Sequence, residues 1–483
     1  MSWTLAGFII YLIVILIVGF VTYRRNENET DYFLAGRRLN PWVVAFSERA
    51  SGESAWLLLG LPGAALAMGF LEIWTALGCV LGIIFYWYLI ASRLRLQTES
   101  LGSITLPEFF ARRFPEGAQT IRLLSTLIII FFFTFYLSAQ FNGAGKLLEV
   151  TFGIPKFWGM VIGASVIIVY TMLGGFFAVA WTDFIQGAIM FATLVILPMA
   201  GLAEVLSNGK TLGEAVINAG PGFWDIAGGK TGWAGIAAIL GGLSWAFGYM
   251  GQPHLLTRFM SIKDPQKIAL SRRIAFIWAI PAFTGAVLIG LTGLALYGKG
   301  YFNDVEHVMP YMANALLPSW LAGILVSGAI AAMMSTADSQ LLVTSSAVAE
   351  DLCHRVLGIS FTPKQMLRFS RLVTLGVGLL AFALAISSSK LIFNMVSYAW
   401  SGLGASFGPA LLLMLWWKGT TARGVIAGMF TGAAATIVWS EIPGANAWLT
   451  ERIVSFVLAL LAVWLVSLAT RNSKRNLKAY ASP

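Results

Sequence analysis

Apolar runs long enough to cross a bilayer recur along the chain from Trp3 to Leu468, separated by short polar segments. A helix needs about 20 predominantly apolar residues to traverse the hydrocarbon. Such runs fall near 3–22, 41–67, 70–93, 120–146, 157–178, 183–204, 231–251, 272–298, 319–349, 367–387, 390–416, 422–440 and 449–469, which predicts an all-α integral membrane protein with about 13 transmembrane helices. The first run, WTLAGFIIYLIVILIVGFVTY, has neither a basic segment before it nor a small-residue cleavage site, so it reads as a retained span and not as a signal peptide.

Two runs are interrupted. The second carries SGES and then LPG, and the seventh reads GGLSWAFGYMGQPH. Glycine and proline release backbone N–H and C=O groups from the helix ladder, which is tolerated at membrane depth only where those groups face protein, water or a ligand. If spans 2–6 and 7–11 are two five-helix units, the broken run is the first helix of each, and five crossings invert the second unit relative to the first. In secondary transporters, solute and ion sites lie at the midplane on such discontinuous helices. The second run also holds Glu48, Arg49 and Glu53. Charge at that depth implies either a hydrated pathway or internal partners, and Glu48 and Arg49 lie close enough to the end of the span to pair or to snorkel.

Composition adds direction. Hydrophobic residues make up 58% of the chain, charged residues 11%, and the net charge is +10. Most basic residues fall on one face: Arg24, Arg25, Arg37 and Arg38 after span 1, Arg93, Arg95, Arg112, Arg113 and Arg122 after span 3, and Arg258, Lys263, Lys267, Arg272 and Arg273 after span 7. Arg355, Lys364, Arg368, Arg371, Lys418, Arg423, Arg471, Lys474, Arg475 and Lys478 follow on the same face. The basic bias marks that face as cytoplasmic, the N-terminus as external and the C-terminus as cytoplasmic. Topology thus accounts for the charge, and no nucleic-acid partner is needed. Cys79 and Cys353 form no disulfide framework, and His254, His307 and His354 are too scattered for a metal centre. No HExxH, phosphate-binding loop or catalytic constellation stands out, which argues against a membrane enzyme.

Oxygen-bearing side chains cluster in span 9, in AAMMSTADSQLLVTSS. Positions 332, 335, 336 and 339 share a helical face by their spacing. Ser335 and Thr336 with a neighbouring carbonyl offer part of a shell for a hard monovalent cation, and carbonyls of the broken second span are the natural complement. Membrane serines and threonines also commonly bond back to their own helix. Asp183, in AVAWTDFIQG after Gly174 and Gly175, opens span 6, where it could act as a helix-capping carboxylate. Trp245 and Tyr249 lie one turn apart on the broken seventh span, and Tyr136 lies in span 4.

These stretches resemble the sodium/solute symporter family, and within it the bacterial sodium/proline symporters. The similarity runs through DYFLAGRRL, SAWLLLGLPGA, GGFFAVAWTDFIQG, FGYMGQPHLLTRFMS and MSTADSQLLVTSSAVAEDL, in order, over nearly the whole chain. It implies a LeuT-type core of two inverted five-helix repeats in a single transporter domain, 1–483. The leading helix is 3–22, the first repeat 41–204, the second 231–416, the trailing pair 422–470 and the cytoplasmic tail 471–483. By the same resemblance, backbone oxygens of Ala50, Glu53 and Ala332 and the hydroxyls of Ser335 and Thr336 would bind the coupling sodium ion. Asp183, Ser335, Asp338 and Ser339 would form a second sodium site, and Ser54, Ala55, Trp56, Tyr136, Trp245, Tyr249 and Pro253 a proline pocket. One departure stands out: proline symporters commonly read ASDMSGW where this chain reads ASGESAW, so the acid is shifted by one position and Ala55 stands for glycine.

The expectation is sodium-driven import of L-proline or a similar small amino acid across a bacterial inner (cytoplasmic) membrane, with no obligate protein partner evident. A sodium- or proton-coupled carrier of another solute, such as a carboxylate, sugar acid or vitamin, is the first alternative. A transporter-like membrane sensor is the second.

Overall fold

A computed structural model describes residues 3–23, 33–173, 175–388 and 390–471. Arg24, Arg25, Gly174 and tail residues 472–483 lie outside the described residues. Helices dominate, and among the described residues there is no β-sheet, only one isolated bridge between Leu39 and Ile262.

The chain runs through α1 (Trp3–Tyr23), α2 (Pro41–Ala55), α3 (Leu61–Met68), α4 (Ile73–Tyr86), α5 (Ala118–Phe152), α6 (Lys156–Leu173) and α7 (Phe176–Ser207). It continues with α8 (Gly232–Leu243), α9 (Trp245–Tyr249), α10 (Pro253–Ser261), α11 (Ile268–Tyr297), α12 (Ser319–Ser346), α13 (Pro363–Ser387), α14 (Ile392–Trp416), α15 (Ala422–Glu441) and α16 (Glu451–Thr470). Among the described residues nine helical stretches are long and apolar enough to cross a membrane, ten if the bent α8–α10 segment is one span, and α6 and the apolar part of α1 fall below that length. One of the nine, Pro41–Ser100, is 60 residues long. It folds back on itself at Gly69, whose φ of 68° opens the turn, because Arg49 hydrogen-bonds to the Tyr86 hydroxyl and Trp87 to Glu48 across the hairpin.

Sequence position explains depth. The apolar windows of the stretches containing α12 and α14 are each 83% buried in protein, against 28% for α16, so the former are central and the latter faces lipid. The centre is a packed set of α2, α5, α7, α11, α12 and α14, with α15 and α16 against α14 and α1 against α7 and α12. Small residues set the close crossings. A methyl group on Gly285 of α11 would lie 1.7 Å from the Leu194 carbonyl oxygen of α7, and one on Gly323 of α12 would lie 2.3 Å from the Thr4 carbonyl of α1.

Away from the arginine-rich face, three pieces of chain meet at Glu306. Its buried carboxylate accepts from Lys146 of α5 at 2.5 Å and from the Ile392 and Phe393 N–H groups of α14, both at 3.0 Å. Asp304 takes a second bond from Lys146 at 2.7 Å.

Candidate functional site

The second run breaks at Ser54. Asn40 caps the start of α2 by accepting from the Val43 N–H, Pro41 opens the first turn, and the helix proceeds until Ser54 takes φ 37° and ψ −165°. A serine at positive φ is strained unless its surroundings hold it there. Here α5 does so. The Ala55 N–H, which would otherwise bond to the Ser51 carbonyl, donates to Gln140 Oε1 at 3.1 Å, and the Ser54 hydroxyl accepts from Tyr136 at 3.3 Å and Gln140 at 3.4 Å. A π-helical segment, Trp56–Gly60, follows the break.

The carbonyls just before the break face α12. Ser335 donates to the Ala50 carbonyl at 3.0 Å and to its own helix at Ala332 at 3.2 Å, while Thr336 donates to the Ser51 carbonyl at 2.9 Å. Ala50, Ala332, Ser335 and Thr336 therefore converge in one buried spot. Glu53 looks elsewhere. Its carbonyl accepts from the Trp56 N–H, and its carboxylate meets Arg49 at 2.6 Å and the Tyr249 hydroxyl at 3.2 Å. Arg49 also bonds both oxygens of Glu48, and Trp87 donates to Glu48 at 3.3 Å. Glu48, Arg49 and Glu53 are fully buried, so neither end of the cluster snorkels, and two carboxylates share one guanidinium inside the protein.

An aromatic cage adjoins the break. Trp56 stacks on Trp245 at 4.5 Å, Tyr249 meets Trp400 edge-on at 4.9 Å, and Trp400 lies 6.2 Å from Tyr136 and 6.4 Å from Trp245. All five rings are buried. Trp400 of α14 and Gln140 were not among the residues expected from the sequence. The one available signal for Trp400 is its position in the small-residue stretch YAWSGLGASFG, and its ring indeed fills the space over Gly248. Ser54 sits under the cage, with Ala55 one residue on. Pro253 opens α10 and lines a small pocket away from the cage together with Phe33, Leu106, Phe176, Thr257 and Ser346.

The expected start of span 6 is corrected: α7 begins at Phe176, so Asp183 lies two turns inside the helix and caps nothing. It is instead in a buried ion pair with Arg258, 2.9 Å apart, and accepts from Ser47 at 2.6 Å and Ser51 at 3.2 Å. Ser339 donates to the Ser335 carbonyl at 2.7 Å and to Asp338 at 3.1 Å. Asp183, Ser335, Asp338 and Ser339 are thus neighbours, with Arg258 among them. Among the described residues no group of His, Cys, Asp and Glu has the geometry to hold a metal ion, and both cysteines are free.

Interrupted, buried helices with freed carbonyls facing hydroxyls and an adjoining aromatic cage define a secondary transporter of the LeuT-type fold. A solved Na+-coupled sialic acid symporter shares that fold with a TM-score of 0.76 at 19% identity, covering 97% of this chain and 98% of its own. The sequence profile of the sodium:solute symporter family matches residues 32–432, and the chain belongs to that family. It is 40% identical to the high-affinity proline transporter PutP of Bacillus subtilis (strain 168), covering 94% of this chain and 96% of that protein. The sodium/proline symporter of Escherichia coli (strain K12) is 37% identical, over 96% of this chain and 92% of its own length. The chain is accordingly a transporter and not an enzyme.

Proposed function

We propose that this protein imports L-proline, or a similarly small amino acid, by symport with sodium through alternating access. The observation that carries the reading is the meeting of the Ser335 and Thr336 hydroxyls with the Ala50 and Ser51 carbonyls beside the break at Ser54. When a sodium ion arrives, the two hydroxyls turn from donating to carbonyls to offering lone pairs, and the same carbonyls become ligands. The Ala332 carbonyl belongs to this set, and the Glu53 carbonyl, which accepts from the Trp56 N–H, joins it through its second lone pair. The solute occupies the neighbouring cage, where Trp56, Tyr136, Trp245 and Tyr249 give apolar contact and the unwound backbone around Ser54 and Ala55 holds its charged ends. The names of the bacterial relatives support proline as the solute.

In this reading the chain crosses the cytoplasmic membrane thirteen times, with the N-terminus external and the arginine-rich face inside. Residues 41–204 and 231–416 form the inverted repeats, and α1, α15 and α16 flank them. The test is uptake of labelled proline into proteoliposomes with and without an inward sodium gradient, in competition with other amino acids. Saturable uptake that requires sodium and is blocked by unlabelled proline is the expected result. Uptake indifferent to sodium refutes the coupling, and sodium-dependent uptake of a different solute refutes the substrate.

A further inference from the structure

The Glu48–Arg49–Glu53 cluster holds two carboxylates and one guanidinium, and the two acids are not equally served. Arg49 turns one edge to Glu48: Nε donates to Oε2 at 2.7 Å and Nη2 to Oε1, and Trp87 adds an N–H to Oε2 at 3.3 Å. Glu53 receives a single guanidinium bond, from Nη1 to Oε1 at 2.6 Å. Its Oε2 meets the Tyr249 hydroxyl at 3.2 Å and no guanidinium nitrogen. Glu48, Arg49, Glu53 and Tyr249 are all fully buried. The excess negative charge of the cluster therefore rests on Glu53 Oε2.

Tyr249 connects that oxygen to the cage. Its ring is part of the cage wall, edge-on to Trp400 at 4.9 Å, while its hydroxyl donates to Glu53 and has the Cys79 thiol beside it. A phenol oxygen that donates to a carboxylate keeps acceptor capacity for another donor, and the carboxylate behind it strengthens it as an acceptor. The donor that fits is a cation, because a buried carboxylate in excess requires matching positive charge. Among the described residues, Glu48 and Glu53 form ion pairs with Arg49 alone. Glu53 is also the residue just before the break at Ser54, so its charge sits beside the unwound backbone.

We infer that the ammonium group of the transported solute is the missing cation: it binds against the Tyr249 hydroxyl with Glu53 behind it, and Glu53 thereby selects solutes that carry a protonated amine over carboxylates that lack one. The inference deepens the amino-acid uptake proposed above and rests on it. Glu53 acts through Tyr249, as a positioning residue. A zwitterionic amino acid neutralises the excess charge on entering the cage, whereas a carboxylate without an amine adds a second negative charge to it. Simple carboxylates and sugar acids are therefore poor solutes for this cage.

The test is a ratio of affinities. L-Proline and tetrahydrofuran-2-carboxylate share ring size and carboxylate, and the second carries an ether oxygen where the first carries the ammonium. Both are measured at saturating sodium on the purified protein by calorimetry, and by competition with proline uptake in proteoliposomes. The unaltered protein is expected to prefer proline, and Glu53→Gln to reduce that preference about tenfold or more, the worth of one contact to a charged group. Glu48→Gln neutralises the excess charge without removing the Tyr249–Glu53 bond and is expected to lower the ratio in the same direction; it carries the test if Glu53→Gln does not fold. Equal weakening of both ligands by Glu53→Gln, the mark of a packing role, overturns the inference and leaves amino-acid symport standing, as does a loss of sodium affinity with the preference intact. An unaltered protein that binds the oxygen analogue as tightly as proline, or that binds neither, overturns the amino-acid reading and the inference together.

Discussion

Replacing Arg49 by methionine isolates the energetics of the buried charge cluster. In the native protein its guanidinium bonds Glu48 Oε2 at 2.7 Å, Glu53 Oε1 at 2.6 Å and the Tyr86 hydroxyl at 2.9 Å, and all three charged side chains are fully buried. Methionine fills most of the volume and removes the positive charge, leaving two carboxylates side by side in a dry interior. Breaking a buried pair in this way costs about 3–5 kcal/mol, because the surviving charge has no partner. At 1.4 kcal/mol per factor of ten, that is roughly a 100- to 4,000-fold shift in the folding equilibrium. The assay is equilibrium unfolding of detergent-solubilised protein followed by tryptophan fluorescence. The companion triple variant, Glu48→Gln with Arg49→Met and Glu53→Gln, removes every charge and should recover most of the loss, since neutral replacement of a buried ionic group is often close to neutral in stability. Glu53→Gln alone leaves a one-to-one Glu48–Arg49 pair and should cost much less than Arg49→Met. A loss under about 0.5 kcal/mol for Arg49→Met, the scatter expected of an exposed position, would show that water reaches the cluster and that the reasoning is wrong.

Ser335→Ala combined with Thr336→Ala should raise the sodium concentration for half-maximal uptake at least tenfold while the protein still folds; unchanged sodium dependence would dissociate these hydroxyls from the ion. Trp245→Ala opens the stack on Trp56 and should weaken solute binding at saturating sodium, whereas a drop in thermal stability with solute affinity intact would make the ring a packing residue. Gly285→Ala puts a methyl group 1.7 Å from the Leu194 carbonyl oxygen, so α7 and α11 must separate, at a cost of about 1–3 kcal/mol readable in the same unfolding assay; native stability would disprove the tight crossing.

The interruptions were the most legible part of this molecule. Glycine and proline near Gly52–Gly63 and Gly248–Pro253 announce breaks in two otherwise apolar runs, and both runs are discontinuous in the structure, the second bending by 46° before α10. The shared face of Ser335 and Thr336 is equally a matter of spacing, and the structure turns that face toward Ala50 and Ser51. What the spacing could not reveal is pairing across long separations. Asp183 reads as a cap because it is the first carboxylate of an apolar run, although Gly175 marks the true helix start just before Phe176, and its partner Arg258 is 75 positions away. Arg258 also sits in a run of basic residues that charge bias groups on one face, which hides that it alone of Arg258, Lys263 and Lys267 is buried among carboxylates and hydroxyls. Trp400 and Gln140 were missed for the same reason: each acts through a neighbour, Gly248 or the Ala55 N–H, that only the folded chain supplies.

The junction at Glu306 has a mechanical consequence. One carboxylate ties Lys146 near the end of α5 to the first two N–H groups of α14, and it does so out of contact with water. Pulling these pieces apart would strand a buried negative charge, a buried ammonium and two helix-end donors at once, so the loss is abrupt and grows to several kcal/mol. The loop at 304–306, the end of α5 and the start of α14 therefore travel as one rigid corner in any motion that opens the cage. Flexing must be absorbed where the backbone already departs from helix, at Ser54 and between Tyr249 and Pro253, which makes the two interruptions the axles and this corner the frame that turns on them.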